Sequence, residues 1–442
     1  GISAIRLAVA EINSKQMIPG AYVTLVEKDS YPKAVEGQAA ITQAVFSAIS
    51  LIQEGVVGII GDISSSWTSF SALMTSTLQI PQCSFSAVAT SLSDKSQFGY
   101  FFRTVPTNLL YSDAAVSFVV SQGWPILGVL YSDDDFGQQL SESVVMKARL
   151  NGISVKSYQS FYEDGPKSDI RKSLDTLMST GVRIIFIAAE GDALLTAFTL
   201  AAQAGYINKD TVWITTDTDT NDLFHAVQNF NTILEKRANH TDIVPTNYTV
   251  ADDPFKLKKI LDVESVDPIA YAARMTSNLT TISYNQTFSG GVFIFEALNQ
   301  LSGYEPYDIF HEKWANLDPR IYPYGGQTNI SSNEGMAYSC MMVMAEGFNQ
   351  TIYNSTIHAT NTTVILKSLA SGELGEFLGP STFNTSFLGP IGPVVLDQNG
   401  DLATGNFKIY NIQNGIQTDI GRTIAGDLNL TSLPIYHDGT TR

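Results

Sequence analysis

The chain has 442 residues, 44% of them hydrophobic, and a formal net charge of −17. That length provides for two domains with ample cores. The acidic balance excludes nucleic acid as a partner, because nothing here would neutralise phosphates, and no apolar run reaches the roughly 20 residues of a membrane crossing.

In chain order, Ile5, Ala8, Val9 and Ile12 share one helical face at the very start, so the reading places no signal peptide here. A doubly wound lobe normally begins with a strand. The first strand is therefore expected to be missing before Gly1, by truncation or, as the bolder alternative, because a neighbouring copy supplies it. Tyr22–Glu27 reads as a strand, and 34–53 as a helix with Ile41, Val45, Ala48, Ile49 and Ile52 on one stripe. Val57, Ile59 and Ile60 form a short apolar strand, Gly61-Asp62 break it, and a helix follows over about 66–78.

A second series runs helix 110–122, strand 126–131, helix 136–150, strand 153–160, helix 168–179, strand 183–188, helix 191–204 and strand 211–216. Residues 231–285 are polar and read as long connections. Helices are expected again over 289–302, 306–316 and 334–352. Strands at Val394–Leu396, Asn406–Asn411 and Ile416–Ile420 are joined by turns at Asp397–Gly400 and Asn414-Gly415. The alternation predicts an α/β chain with two doubly wound, parallel-sheet lobes.

Ser64, Ser65 and Ser66 stand where the 66–78 helix begins. A helix start leaves backbone N–H groups unpaired and carries partial positive charge, so with added hydroxyls it suits a carboxylate. The plainer reading is that one of them simply caps the helix. Cys83 lies in an apolar strand and Cys340 in a Met-rich helix, and both read as buried small hydrophobes rather than a bridge.

The segment 58–106 resembles the ligand-binding lobes of class C receptors (metabotropic glutamate and GABA receptors), which have the type I periplasmic-binding-protein fold. The likeness is carried by G-x-x-G at 58–61, the Ser triplet, Ile80-Pro81-Gln82, Leu92-Ser93-Asp94-Lys95 and Phe102-Arg103-Thr104-Val105-Pro106. Further matches are Tyr131–Gly137, Ala188–Gly191, Thr215–Asp217, Gly389–Gly392 and Val395–Asp401, and the end of the chain, Pro434–Arg442, is similar to the linker before the seven-helix domain of fungal and amoebal relatives. The resemblance implies three hinge crossings, near 105–109, 240–247 and 388–393. Lobe 1 would be 1–106 plus 245–389, lobe 2 would be 107–244 plus 390–425, and 426–442 would be a C-terminal linker.

The same resemblance places ligand contacts. Ser65 falls on the α-carboxylate ligand, and Ser86, Ala87 and Val88 on the loop that shares that carboxylate through backbone N–H groups and a hydroxyl. Val88 stands where amino-acid sensors carry Thr or Ser, so one hydroxyl is lost, and Ser86 is a candidate replacement. Asn108 replaces an Asp that holds the ligand ammonium, losing an ion pair that in a closed cleft matters by about 1–3 kcal/mol. Phe136 takes the aromatic position, and Glu190 and Asp217 lie where they can meet the ammonium instead. Ala4 and Asn333 fall where cationic residues read glutamate's distal carboxylate, so glutamate itself is a poor fit. Phe136 as simple packing, and Glu190 and Asp217 as caps or solvated acids, are the competing readings.

No enzyme is read here: there is no G-x-S-x-G, GxxxxGK[ST] or HExxH, and the five histidines are isolated. No cofactor is expected. No metal is assigned either, because the side chains of Asp133, Asp134 and Asp135 diverge and a Ca²⁺ loop needs alternating ligands.

Ten sequons, at Asn239, Asn247, Asn278, Asn285, Asn329, Asn349, Asn354, Asn361, Asn384 and Asn429, predict a secreted, N-glycosylated, extracellular chain. The helices over 34–53 and 66–78 lack sequons and carry surplus apolar residues, so a glycan-free dimer face is expected around Phe46, Phe70 and Met74. The function so read is a receptor ectodomain that senses a small amino-acid-like or carboxylate ligand by cleft closure. The alternatives are a structural or self-assembling extracellular glycoprotein that reuses the fold, and a solute-binding protein that feeds a transporter.

Overall fold

The computed structural model describes residues 1–30, 38–162, 165, 167–216, 218, 220–238, 281–298, 301–328, 330, 332–354, 362–424 and 426–441. The chain divides into two compact units. Unit 1 is Gly1–Tyr111, Ala297–Phe407 and Ile424–Gly426. Unit 2 is Ser112–Glu296, Lys408–Thr423 and Asp427–Arg442.

In unit 1, helix α1 (Ile2–Ser14) buries Ala4, Ile5, Ala8 and Ile12 and packs along the helix Ser332–Asn354. Helix α2 (Gln38–Gln53) lies beside α3 (Ser65–Thr77). Three short parallel strands, β1 (Ile59–Ile60), β2 (Gln82–Ser84) and β3 (Phe101–Arg103), form a sheet in that order. Ala72, Ala87, Leu92, Phe98 and Phe101 close a small apolar cluster beside it. The expected strand Tyr22–Glu27 runs extended with alternating exposure but pairs with no strand among the described residues. Asn13 holds it instead, its amide donating to the Val23 carbonyl (2.9 Å) and its carbonyl accepting from the Val23 N–H (2.8 Å).

Cys83 and Cys340 are joined in a disulfide, which corrects the reading of two free thiols. Their Cα atoms lie 5.9 Å apart, within bridging range. Periodicity indicates burial but not which buried side chains meet, and the partners stand 257 residues apart. The bridge ties β2 to the long helix of the same unit.

A small antiparallel pair, β9 (Phe387–Gly389) with β10 (Gly392–Val394), lies in unit 1. Unit 2 is built on an eight-stranded sheet whose order is β13 (Asp427–Leu430), β12 (Ile416–Ile424), β11 (Asn406–Gln413), β8 (Val292–Ala297), β7 (Val212–Thr216), β6 (Ile184–Ala188), β4 (Ile126–Ser132) and β5 (Ser154–Phe161). Strands β4 (Ile126–Ser132), β5 (Ser154–Phe161), β6 (Ile184–Ala188), β7 (Val212–Thr216) and β8 (Val292–Ala297) are parallel neighbours. Between them come α5 (Asp135–Leu150), α6 (Lys167–Ser179), α7 (Gly191–Gln203) and α8 (Thr220–Ala238). α4 (Asn108–Ser121) leads in from unit 1. β6, β7 and β8 are buried along nearly their whole length, as strands covered on both faces must be. Trp213, Phe198, Ile187 and Ile294 are fully buried in this core.

One further expectation is corrected. Residues 289–302 are expected as helix, yet Val292–Ala297 is strand β8, because a short run rich in Val, Ile and Phe, interrupted only by Glu296, carries no helical period and fits beside β7. The stretch 426–442, expected as a C-terminal linker, contains regular structure. Asp427–Leu430 is strand β13, and the chain beyond it folds back, the Ile435 carbonyl accepting from the Gly291 N–H at 2.9 Å and Tyr436 packing edge-on to Trp124. The compact units change over after Tyr111, Glu296 and Phe407, while the expected hinge crossings are 105–109, 240–247 and 388–393. Residues 240–247 lie outside the described residues. The hairpin β11 (Asn406–Gln413) and β12 (Ile416–Ile424) turns at Asn414-Gly415, both with positive φ, as such a two-residue turn requires.

Candidate functional site

Two groups of the expected site residues are resolved, one in each unit. In unit 1 the parallel strands deliver their C-terminal ends to the start of α3 and to the loop 84–89. Ser64 is the extended N-cap residue of α3, and its side chain makes no cap hydrogen bond. Ser65 is buried, and its hydroxyl accepts from the Ala89 N–H at 3.2 Å. Ser66 is half-buried in the first turn.

The loop opposite is fastened from within. Ser84 Oγ accepts from the N–H groups of Ala87 (2.9 Å) and Ser86 (3.3 Å) and donates to the Asp62 carbonyl (3.1 Å). Ser86 Oγ donates to the Ile63 carbonyl at 2.8 Å. Val88 is buried, and its carbonyl receives the Asn108 N–H at 2.8 Å where α4 begins. Ser65, Ser86, Ala87, Val88 and Asn108 are thus brought together, although the N–H groups of Ser86 and Ala87 already serve Ser84.

A further support for this loop comes from Arg103, whose role the sequence reading missed. It is fully buried at the end of β3. Nη1 donates to the carbonyls of both Ala87 and Ala89 (2.8 Å each), Nη2 to Ser93 Oγ (2.9 Å), and Nε to Asp401 Oδ1 (2.6 Å). Ser93 Oγ in turn donates to Asp401 Oδ2. Burial pulls the guanidinium pKa down, and the Asp401 carboxylate beside it opposes that. Lys95 fastens the following stretch 92–101, donating to the carbonyls of Leu92, Phe98 and Phe101, and burial pushes its ammonium down to about 8. The signal was present in sequence: a lone cation in Phe-Phe-Arg demands a buried partner, but nothing in the pattern pointed to Asp401.

Gln82 is a second such residue. Fully buried, it donates to the Gly61 carbonyl and Ser71 Oγ (2.8 Å each) and accepts from Thr75 Oγ1 (2.8 Å), which locks α3 onto the strand ends. Ala4 is fully buried in α1, and Asn333 is exposed on the helix Ser332–Asn354.

In unit 2, β4 ends in Tyr131-Ser132, and Asp134 caps α5 by accepting from the Gly137 N–H and Ser132 Oγ (2.8 Å each). Burial raises the Asp134 pKa. Phe136 is almost wholly buried in the first turn of α5 and is part of the core as observed. Glu190 is the N-cap residue of α7, half-buried at the end of the neighbouring strand β6. Asp217 lies outside the described residues. Among the described residues, no cluster of three or more His, Cys, Asp or Glu suits a metal ion.

Two parallel-sheet α/β units, with a serine-lined helix start at the strand ends of one of them, define a periplasmic-binding-protein-like, ligand-binding type of protein. The chain belongs to the family described as "Receptor family ligand binding region", which it matches over residues 3–415. It is 28% identical over 219 residues to glutamate receptor 3.7 of Arabidopsis thaliana, covering 48% of this chain and 22% of that protein. It is 26% identical over 184 residues to metabotropic glutamate receptor-like protein E of Dictyostelium discoideum (40% and 22%). To metabotropic glutamate receptor 4 of Mus musculus it is 29% identical over 153 residues (34% and 17%). The matched part spans about a fifth of the length of these relatives.

Proposed function

We propose that this chain is the extracellular ligand-binding part of a receptor and holds a small amino-acid-like or carboxylate ligand at the start of α3, with lobe closure as the signal. The observation that carries this reading is the three-serine opening of α3 at the C-terminal ends of a parallel sheet, where open α/β folds take their ligands. The disulfide supports an oxidising, secretory environment. Among the described residues, no helix is long and apolar enough to cross a membrane, so attachment would come through other parts of a longer protein.

A thermal-shift screen of amino acids and small carboxylates tests the reading, because a ligand that binds only the folded state raises its stability. Ser64→Ala and Ser66→Ala are better probes than Ser65→Ala, since Ser65 also secures Ala89. A raised melting temperature that both substitutions diminish is expected. The absence of a shift across the panel would oppose the reading.

The engagement of the Ser86 and Ala87 N–H groups by Ser84 favours a second reading, a glycoprotein that keeps the fold without the ligand. In either case, a second copy is the proposed partner of the α2–α3 face. There Phe46 is 64% and Phe70 51% exposed, with Ile49 and Leu73 beside them in sequence, while Met74 is half-buried.

A further inference from the structure

Four of the ten sequons have asparagine side chains among the described residues: Asn285, Asn349, Asn384 and Asn429. They do not stand in equivalent surroundings. Asn285 is exposed in the helical turn Tyr284–Thr287, beside the Asn414-Gly415 turn. Asn429 is exposed on β13, the edge strand of the eight-stranded sheet, and its sequon Thr431 is exposed as well.

Asn349 lies inside the helix Ser332–Asn354 with its Oδ1 buried. Its neighbours Phe348 and Ile352 are buried, as is its sequon Thr351, whose hydroxyl donates to the Gly347 carbonyl at 3.0 Å. At Gly347 the helix presses so closely on Phe383 that even a methyl group would strike the ring. Asn349 is itself half-buried, and a glycan on its amide would crowd the side of the helix that holds the buried Oδ1 and, one turn on, Ile352.

We propose that Asn285 and Asn429 carry N-glycans and that Asn349 is bare in the folded, secreted protein. The inference rests on the extracellular reading above and deepens it. At Asn429 the glycan would also cover an open sheet edge with a bulky polar group, one of the ways by which edge-to-edge pairing is suppressed. Asn384 stands apart: it is exposed, but its amide is paired in both directions with the backbone of Leu396 (2.7 and 2.9 Å), and no assignment is made for it.

The test is secretion of the chain from a eukaryotic host, removal of the glycans by amidase in heavy-oxygen water, and peptide mass mapping. Heavy label at Asn285 and Asn429, with none at Asn349, is the expected result. Thr287→Ala and Thr431→Ala should each cost one glycan's mass on a gel, and Thr351→Ala none. Label at Asn349 in monodisperse secreted protein, or a bare Asn285 or Asn429 while other sequons are labelled, would overturn the inference alone. A chain with no label at any sequon would overturn it together with the extracellular reading.

Discussion

Arg103 shows how one side chain can set the shape of a loop it does not belong to. Its guanidinium bridges two carbonyls of the 87–89 loop and a carboxylate almost three hundred positions away in sequence, all without solvent. Breaking one side of such a pair strands a buried charge, so Asp401→Asn is expected to cost about 3–5 kcal/mol, read from denaturant unfolding. Gly137 is constrained by space instead. A Cβ there would overlap the Ser132 carbonyl and hydroxyl and come within 2.8 Å of the Ala188 carbonyl. Gly137→Ala should destabilise the protein by about 1–3 kcal/mol, measured the same way, and move α5 away from the ends of β4 and β6.

Glu11 supplies the clearest pH dependence. Burial alone would raise its pKa, but hydrogen bonds from Lys15, Lys313 and Tyr338 override burial and bring it down to about 2. A carboxylate with a depressed pKa stabilises the fold at pH values above its unfolded pKa and loses that contribution as pH falls through the folded one. The native protein should therefore lose more stability than Glu11→Gln between about pH 4.5 and 2 in thermal melts at stepped pH.

At the scale of elements, α2 and α3 present an apolar face without sequons, and Phe46→Glu with Phe70→Glu should shift the protein toward monomer in sedimentation velocity. Unchanged association would remove this face as the contact. Most helices and parallel strands of the second series were legible because their apolar period is strong and their boundaries carry Gly and Asp. Where the period is ambiguous, as in Val292–Ala297, only a neighbouring strand decides the conformation. Tyr22–Glu27 shows the converse: it alternates as a strand should, but a strand exists only where a partner pairs with it. The serine-rich site was legible as a motif, while the parts that hold it, Gln82, Ser84, Arg103 and Asp401, were not. Their meaning lies in long-range pairing that local spacing does not encode.

Across the whole molecule, the Cys83–Cys340 bridge closes a loop of more than half the chain, which removes a large share of the freedom of the unfolded state. Replacing both cysteines by Ala should lower stability by about 2–5 kcal/mol in denaturant unfolding. Because both sulfurs are buried, a mild reductant should leave the native fold intact until it opens. The family is a receptor ligand-binding region, and the proposed function then depends on whether the start of α3 holds a ligand. Equilibrium titration of the strongest hit from the carboxylate panel, against the native chain and Ser64→Ala with Ser66→Ala, asks this directly. The account predicts at least about a tenfold loss of affinity, equal to about 1.4 kcal/mol, with the melting temperature of the free protein unchanged. Equal affinity for both proteins would contradict it.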